Sequence, residues 1–117
     1  HKTGALILAS VRLGALAAGA GADERLASLE HYAKCIGLAF QVHDDVLDVE
    51  GDTETLGKTQ GKDAASEKAT YPALMGLDAA REMATRLISE ALDNIATMGE
   101  SADPLRQLAR YVIARKR

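Results

Sequence analysis

The chain has 117 residues and a formal net charge of −3, which allows one domain and argues against a nucleic-acid partner, since that would need a basic face. Hydrophobic residues make up 47% and charged residues 26%, so the composition excludes a disordered chain and permits a packed core. Aromatic and β-branched residues are few and alanine and leucine dominate, which favours helix, and the single cysteine, Cys35, excludes an internal disulfide and points to a reducing, cytoplasmic location.

The first residue is His1, and Lys2-Thr3 runs directly into an apolar stretch without the charged, apolar and small-residue zones of a secretion signal. The sequence reads as a fragment, or as the ordered part, of a longer chain. Residues 4–20 are almost wholly apolar, with Arg12 as the only charge. A membrane span needs about 20 apolar residues without a central charge, so a buried helix in a bundle is expected here and no membrane span. Gly19, Gly21 and Asp23 mark a break, with Asp23 as N-cap of a second helix. From Glu24 to about Val49 there is no proline and only Gly37, which predicts one long helix ended by Gly51-Asp52-Thr53.

Residues 51–70 are rich in glycine, polar residues and lysine, and predict loop with short helical turns. Tyr71-Pro72 reopens regular structure. Residues 77–98 predict an amphipathic helix with Leu77, Ala80, Ala84, Leu87, Ile88, Ala91, Leu92 and Ile95 on one stripe. Asp103-Pro104 starts a last helix through Leu105, Leu108, Tyr111 and Val112, whose basic end, Arg115-Lys116-Arg117, suits a helix C-terminus. No strand pattern and no internal repeat is visible, so the fold class is all-α.

The segment Gly37-Leu38-Ala39-Phe40-Gln41-Val42-His43-Asp44-Asp45-Val46-Leu47-Asp48 carries the chemistry. At about 100° per residue, Gln41, Asp44, Asp45 and Asp48 share one strip of the helix, while Ile36, Ala39, Phe40, Val46 and Leu47 lie on the other side. A mostly buried helix does not carry clustered carboxylates without a compensating cation. Magnesium suits them, because it takes oxygen ligands and is held by one or two carboxylates plus substrate phosphates. Asp44 and Asp48, one turn apart, reach a common region, and Gly37 one turn before Gln41 leaves space for a ligand. A solvated acidic face remains an alternative on spacing alone. Lys58, after Gly57, and Lys68 supply point charges of the kind that bind phosphate. His43 points to the apolar side as a packing histidine, and Cys35 reads as a small core residue.

Lys2-Thr3-Gly4, Ile36 to Gln41, Asp44 to Asp48, Gly51-Asp52, Leu56-Gly57-Lys58, Lys68 and Thr70-Tyr71-Pro72 resemble, in order, the motifs of trans-type isoprenyl diphosphate synthases. The run from Gly51 to Pro72 is similar to bacterial short-chain members of the farnesyl type. The resemblance covers essentially the whole chain, residues 1–117, as the C-terminal part of a single domain whose N-terminal half is absent. It implies an all-α helical bundle of the isoprenoid synthase type, a homodimer, and condensation of isopentenyl diphosphate with an allylic diphosphate. Asp44 and Asp48 would hold Mg²⁺ on the allylic diphosphate with Asp45 in support, while Lys58, Lys2 and Thr3 would contact that diphosphate. Gln41 would face the same cavity, Lys68 would line its rim, and Asp63 would act from the loop behind them.

The family has two aspartate-rich motifs facing each other, and this chain carries one. The 117 residues alone are therefore expected to be inactive. The implied product is farnesyl diphosphate. Geranylgeranyl diphosphate, or the role of a non-catalytic subunit in a heteromeric synthase, is the alternative. A class I terpene cyclase is disfavoured by the lack of an Asn/Ser/Glu-type metal motif and by the few aromatic residues. A purely structural bundle does not account for the acidic strip and the lysine-containing loop together.

Overall fold

The computed structural model describes the backbone of residues 2–17, 24–56 and 70–116 and the side chains of 4–13, 24–51 and 70–116. The described residues form α1 (Lys2–Ala17), α2 (Glu24–Leu56), α3 (Tyr71–Met75), α4 (Leu77–Asn94), a 3-10 segment (Ala96–Ala102) and α5 (Asp103–Ala114). No strand occurs among them, in agreement with the all-α reading. Asp23, Lys58, Asp63 and Lys68 lie outside the described residues, as do the side chains of Lys2 and Thr3.

The 33 residues of α2 extend about 50 Å at 1.5 Å per residue, and this helix sets the long axis of a body measuring 55 × 22 × 21 Å. Helices α1, α3, α4 and α5 all touch α2. The larger core joins Tyr32, Cys35, Ile36 and Ala39 of α2 to Ile88, Ala91 and Ile95, and to Ala102, Ala109 and Val112. A second core sets Val42 and Val46 against Ala80 and Ala84. Alanines on α4 lie opposite the bulkier residues of α2, so the two helices approach closely. Full burial of an isoleucine such as Ile36 or Ile95 stabilises by about 1.5–3 kcal/mol.

Several expected boundaries shift. Helix α2 runs past Gly51 to Leu56, because Gly51 keeps a negative φ and a glycine ends a helix only where it turns left-handed. Helix α4 stops at Asn94 rather than at residue 98, since Ile95 leaves the helix at φ −114°, ψ 9° to remain in the core. The corner that follows needs Gly99 at φ 72°. Arg106 clamps this corner by donating to Ile95 O at 3.0 Å, Gly99 O at 2.7 Å and Asp103 Oδ1 at 2.7 Å. The expected α4 stripe packs inward, with Ala80, Ala84, Ile88, Ala91 and Ile95 buried.

In α5 the buried face is Ala109 and Val112, with Leu105 and Ile113 packed beside them, whereas Leu108 and Tyr111 are exposed. The residues four and seven after Leu105 complete the stripe, not those at three and six. Helix α1 is one-sided rather than buried all round: Ile7 packs against the core, while Leu6 and Leu13 are 67% and 68% exposed. Arg12 of this helix pairs with Glu30 of α2. No helix among the described residues is long and apolar enough to cross a membrane.

Between α2 and α4, Thr70 caps α3 by accepting from Ala73 N at 3.3 Å, and Pro72 occupies its first turn, where no N–H is needed. Gly76, at φ 91°, ends α3 and lets α4 start at once in a new direction.

Candidate functional site

The strip expected on α2 is present, and its members have different environments. Asp45 is 8% exposed and is held from two sides. Its Oδ1 accepts from Gln41 Nε2 at 3.0 Å, one turn earlier on the same helix. Its Oδ2 accepts from the Tyr71 backbone N at 3.2 Å. Asp45 therefore fastens the start of α3 to α2 and fixes Gln41 in the same contact. Asp44 is half-buried and Asp48 is exposed, one turn further along.

Asp44 meets a cation that the sequence reading assigned elsewhere. Arg115, just after α5, places Nη1 2.7 Å from Asp44 Oδ1. Its guanidinium lies 4.0 Å over the Phe40 ring centroid, and Nη2 donates to Phe40 O at 3.2 Å. His43 Nε2 donates to Arg115 O at 2.9 Å, which satisfies the histidine expected to be a packing residue. The basic end of α5 thus does more than face a helix C-terminus. The backbone at Arg115 turns extended, at φ −67°, ψ 149°, and sends the side chain back to the acidic strip. The buried Arg115 Nε has no hydrogen-bond partner among the described residues.

A cavity of about 280 Å³ opens beside the strip, lined by Gly4, Ala5 and Leu8 of α1 and by Lys34, Gly37, Leu38 and Gln41 of α2. Gly37 is not simply room for a ligand, as its spacing suggested. A Cβ added there would lie 3.0 Å from Gly4 Cα, so the missing side chain lets α1 and α2 cross closely and shapes the cavity floor. Lys34 was missed by sequence reasoning. The signal was available, because Lys34, Gly37, Leu38 and Gln41 follow the i, i+3, i+4, i+7 pattern of one helix face. Arg115 carried no comparable signal, since its place at Asp44 depends on how α5 docks.

The structure brings Gln41, Asp44, Asp45 and Asp48 to one strip, and sets Gln41 at the cavity where α1 begins. Lys2 and Thr3 start α1, so their backbone lies at the cavity end of that helix, beside Gly4. For Mg²⁺, the donor set is right: Asp44 and Asp48 present hard oxygen ligands one turn apart. The guanidinium against Asp44 marks a position that calls for positive charge.

The Polyprenyl synthetase family matches residues 1–110 of the chain. The farnesyl diphosphate synthase of Escherichia coli (strain K12) is 52% identical over 120 residues, covering 100% of this chain and 40% of that protein. A chloroplastic geranylgeranyl pyrophosphate synthase of Catharanthus roseus is 49% identical over 116 residues, covering 98% of this chain and 32% of that one. A crystal structure from Marinomonas sp. MED121, named for a farnesyl-diphosphate synthase, superposes with a TM-score of 0.78 at 46% identity, covering 97% of this chain and 36% of that one. The chain thus spans well under half the length of the relatives it matches.

Proposed function

The chain belongs to the polyprenyl synthetase family, and on that premise we propose that it is the C-terminal part of a Mg²⁺-dependent prenyltransferase that joins isopentenyl diphosphate to an allylic diphosphate, with farnesyl diphosphate as product. The observation that carries this reading is the strip of Asp44, Asp45 and Asp48 on α2, adjoining a cavity lined by Gln41 and Lys34. Asp44 and Asp48 would hold the ion, with Asp45 fixing the turn between them through Gln41 and Tyr71. Bound there, Mg²⁺ would supply positive charge to the diphosphate leaving group.

In the reaction proposed, the allylic C–O bond breaks to give a carbocation and diphosphate. The alkene of isopentenyl diphosphate attacks the cation, and the proton then lost passes to the released diphosphate. Lys2, Thr3, Lys58 and Lys68 are the residues proposed to bind the diphosphate and to offset the charge that develops on it. Water must be excluded, because it would trap the cation. The apolar walls of the α1–α2 cavity, Ala5, Leu8 and Leu38, serve that end. Leu6 and Leu13 of α1 and Leu108 and Tyr111 of α5 are exposed, as surfaces that the remainder of a larger bundle would cover.

A geranylgeranyl product is the second reading, favoured by the 49% identity to the Catharanthus roseus enzyme against 52% to the Escherichia coli one. The test is to incubate the full-length protein with Mg²⁺, isopentenyl diphosphate and allylic diphosphates, and to identify the product by chromatography. A fifteen-carbon diphosphate supports the first reading and a twenty-carbon one the second. Asp44→Ala and Asp48→Ala should each lower turnover by on the order of 10²–10³-fold, the scale of removing one preorganised charge-stabilising group. Unchanged turnover in both variants would remove the acidic strip from the reaction.

A further inference from the structure

A second cluster of ligand-type side chains lies on the α2–α4 seam, apart from the acidic strip. His31 and Cys35 are one turn apart on the same face of α2, and Glu90 reaches them from α4. One ligand atom of each lies within 4.8 Å of the other two. His31 Nε2 is 2.5 Å from Glu90 Oε2, and the Cys35 thiol donates to the same oxygen at 3.3 Å. Cys35 lies nine positions before Asp44, about 13 Å along the helix at 1.5 Å per residue, so the two clusters do not share an ion.

We propose that His31, Cys35 and Glu90 form a binding site for a divalent transition-metal ion of the zinc class. The donor set is imidazole nitrogen, thiolate sulfur and carboxylate oxygen, which selects zinc-like ions and is foreign to magnesium. Two ligands at i and i+4 on a helix, with a third from a neighbouring helix, grip an ion from one side. Tetrahedral coordination at about 2.0–2.3 Å sets ligand atoms roughly 3.3–3.7 Å apart. The sulfur–oxygen pair already has that spacing. The imidazole–carboxylate pair must open by about 1 Å, by rotation of two side chains that are 51% and 54% exposed.

The backbone under these side chains is firm, because Ile36 and Ala91, next in sequence to Cys35 and Glu90, are both fully buried in the core. Thiolate and carboxylate together carry the charge that neutralises a divalent ion. Burial and the hydrogen bond to Glu90 hold the free thiol protonated, with its pKa pushed up to about 12. Binding therefore replaces the S–H bond by an S–metal bond and releases that proton to solvent, with no change of oxidation state. The exposed side of His31 and Glu90 leaves a fourth position for water. Three protein ligands and one open position describe an exchangeable site rather than a closed structural one.

The test is a Co²⁺ titration of the full-length protein in buffer containing excess Mg²⁺, which occupies carboxylate-only sites. The expected result is a thiolate-to-cobalt charge-transfer band in the near ultraviolet with tetrahedral visible bands, saturating at one ion per chain and displaced by Zn²⁺. The band should vanish in Cys35→Ala and weaken in His31→Ala and Glu90→Gln, two surface substitutions that leave the core intact. Absence of the band in the unsubstituted protein overturns the proposal. So does a band that persists in Cys35→Ala, or one with undiminished affinity in both His31→Ala and Glu90→Gln.

Discussion

Replacing Gly37 by alanine tests the helix crossing that shapes the candidate site. The new Cβ would meet Gly4 Cα at 3.0 Å and Gly4 C and O at 3.9 Å. Carbon atoms pack comfortably at about 3.5–4.0 Å, so α1 must retreat by roughly 0.5–1 Å. The obstacle is backbone, and no side-chain rotation relieves it. Overpacking of this kind costs about 1–3 kcal/mol, while exchanging glycine for alanine inside a helix returns about 0.8–1.0 kcal/mol. The net expectation is a loss of up to about 2 kcal/mol. Gly4→Ala is the matched control, because a Cβ there meets nothing within 4 Å and only the helix-propensity gain remains. The difference between the two variants, about 1–3 kcal/mol, isolates the strain at the crossing. Urea unfolding of both variants reads it directly. On the functional reading, the displaced α1 carries Lys2 and Thr3 with it, so Gly37→Ala should also raise KM for the allylic diphosphate. Equal stability of the two variants, or a Gly37→Ala protein more stable than its parent, would refute the close crossing.

Asp45→Asn should destabilise by about 1–3 kcal/mol, because its new amide group would face one of two donors, Gln41 Nε2 or Tyr71 N. Hydrogen exchange at the Tyr71 amide should quicken in that variant and report the loosening of α3 from α2. Arg115→Ala removes the contact with Phe40 and the half-exposed pair with Asp44, worth together about 1–2 kcal/mol. A double-mutant cycle with Asp44→Ala, followed by thermal unfolding, should show the two substitutions to be less than additive. Cys35 should resist iodoacetamide at pH 8 without added metal, because raising its pKa from 9.0 to about 12 makes the thiolate roughly a thousandfold rarer. The same shift has a stability consequence of fixed sign. The folded state favours the protonated thiol, so this contribution is whole below pH 9.0 and is lost as pH rises toward about 12. Tyr32, buried and raised from 10.0 to about 12, adds in the same direction, so unfolding midpoints measured across that alkaline range should fall.

Local chemistry made the helices, the acidic strip and the α4 stripe legible in the sequence. Helical periodicity alone puts Asp44, Asp45 and Asp48 on one side of α2 and Ala80, Ala84, Ile88 and Ala91 on one side of α4, and both arrangements are present. The same periodicity held the signal for Lys34. Motif order was enough to point to the family. Helix ends were less legible, because Gly51 stops a helix only if the chain turns there, and Ile95 leaves its helix because the core takes it in.

The division of labour among the aspartates came only from tertiary structure. Their sequence positions are equivalent to within a turn, yet Asp45 is buried under Gln41 and Tyr71 while Asp44 receives Arg115. Arg115 is 71 positions beyond Asp44, and Glu90 is 55 beyond Cys35, so both meetings depend on how α4 and α5 dock against α2. Periodicity along one helix specifies which side chains share a face. Which distant side chain meets that face is decided by packing between helices, and no local pattern encodes it.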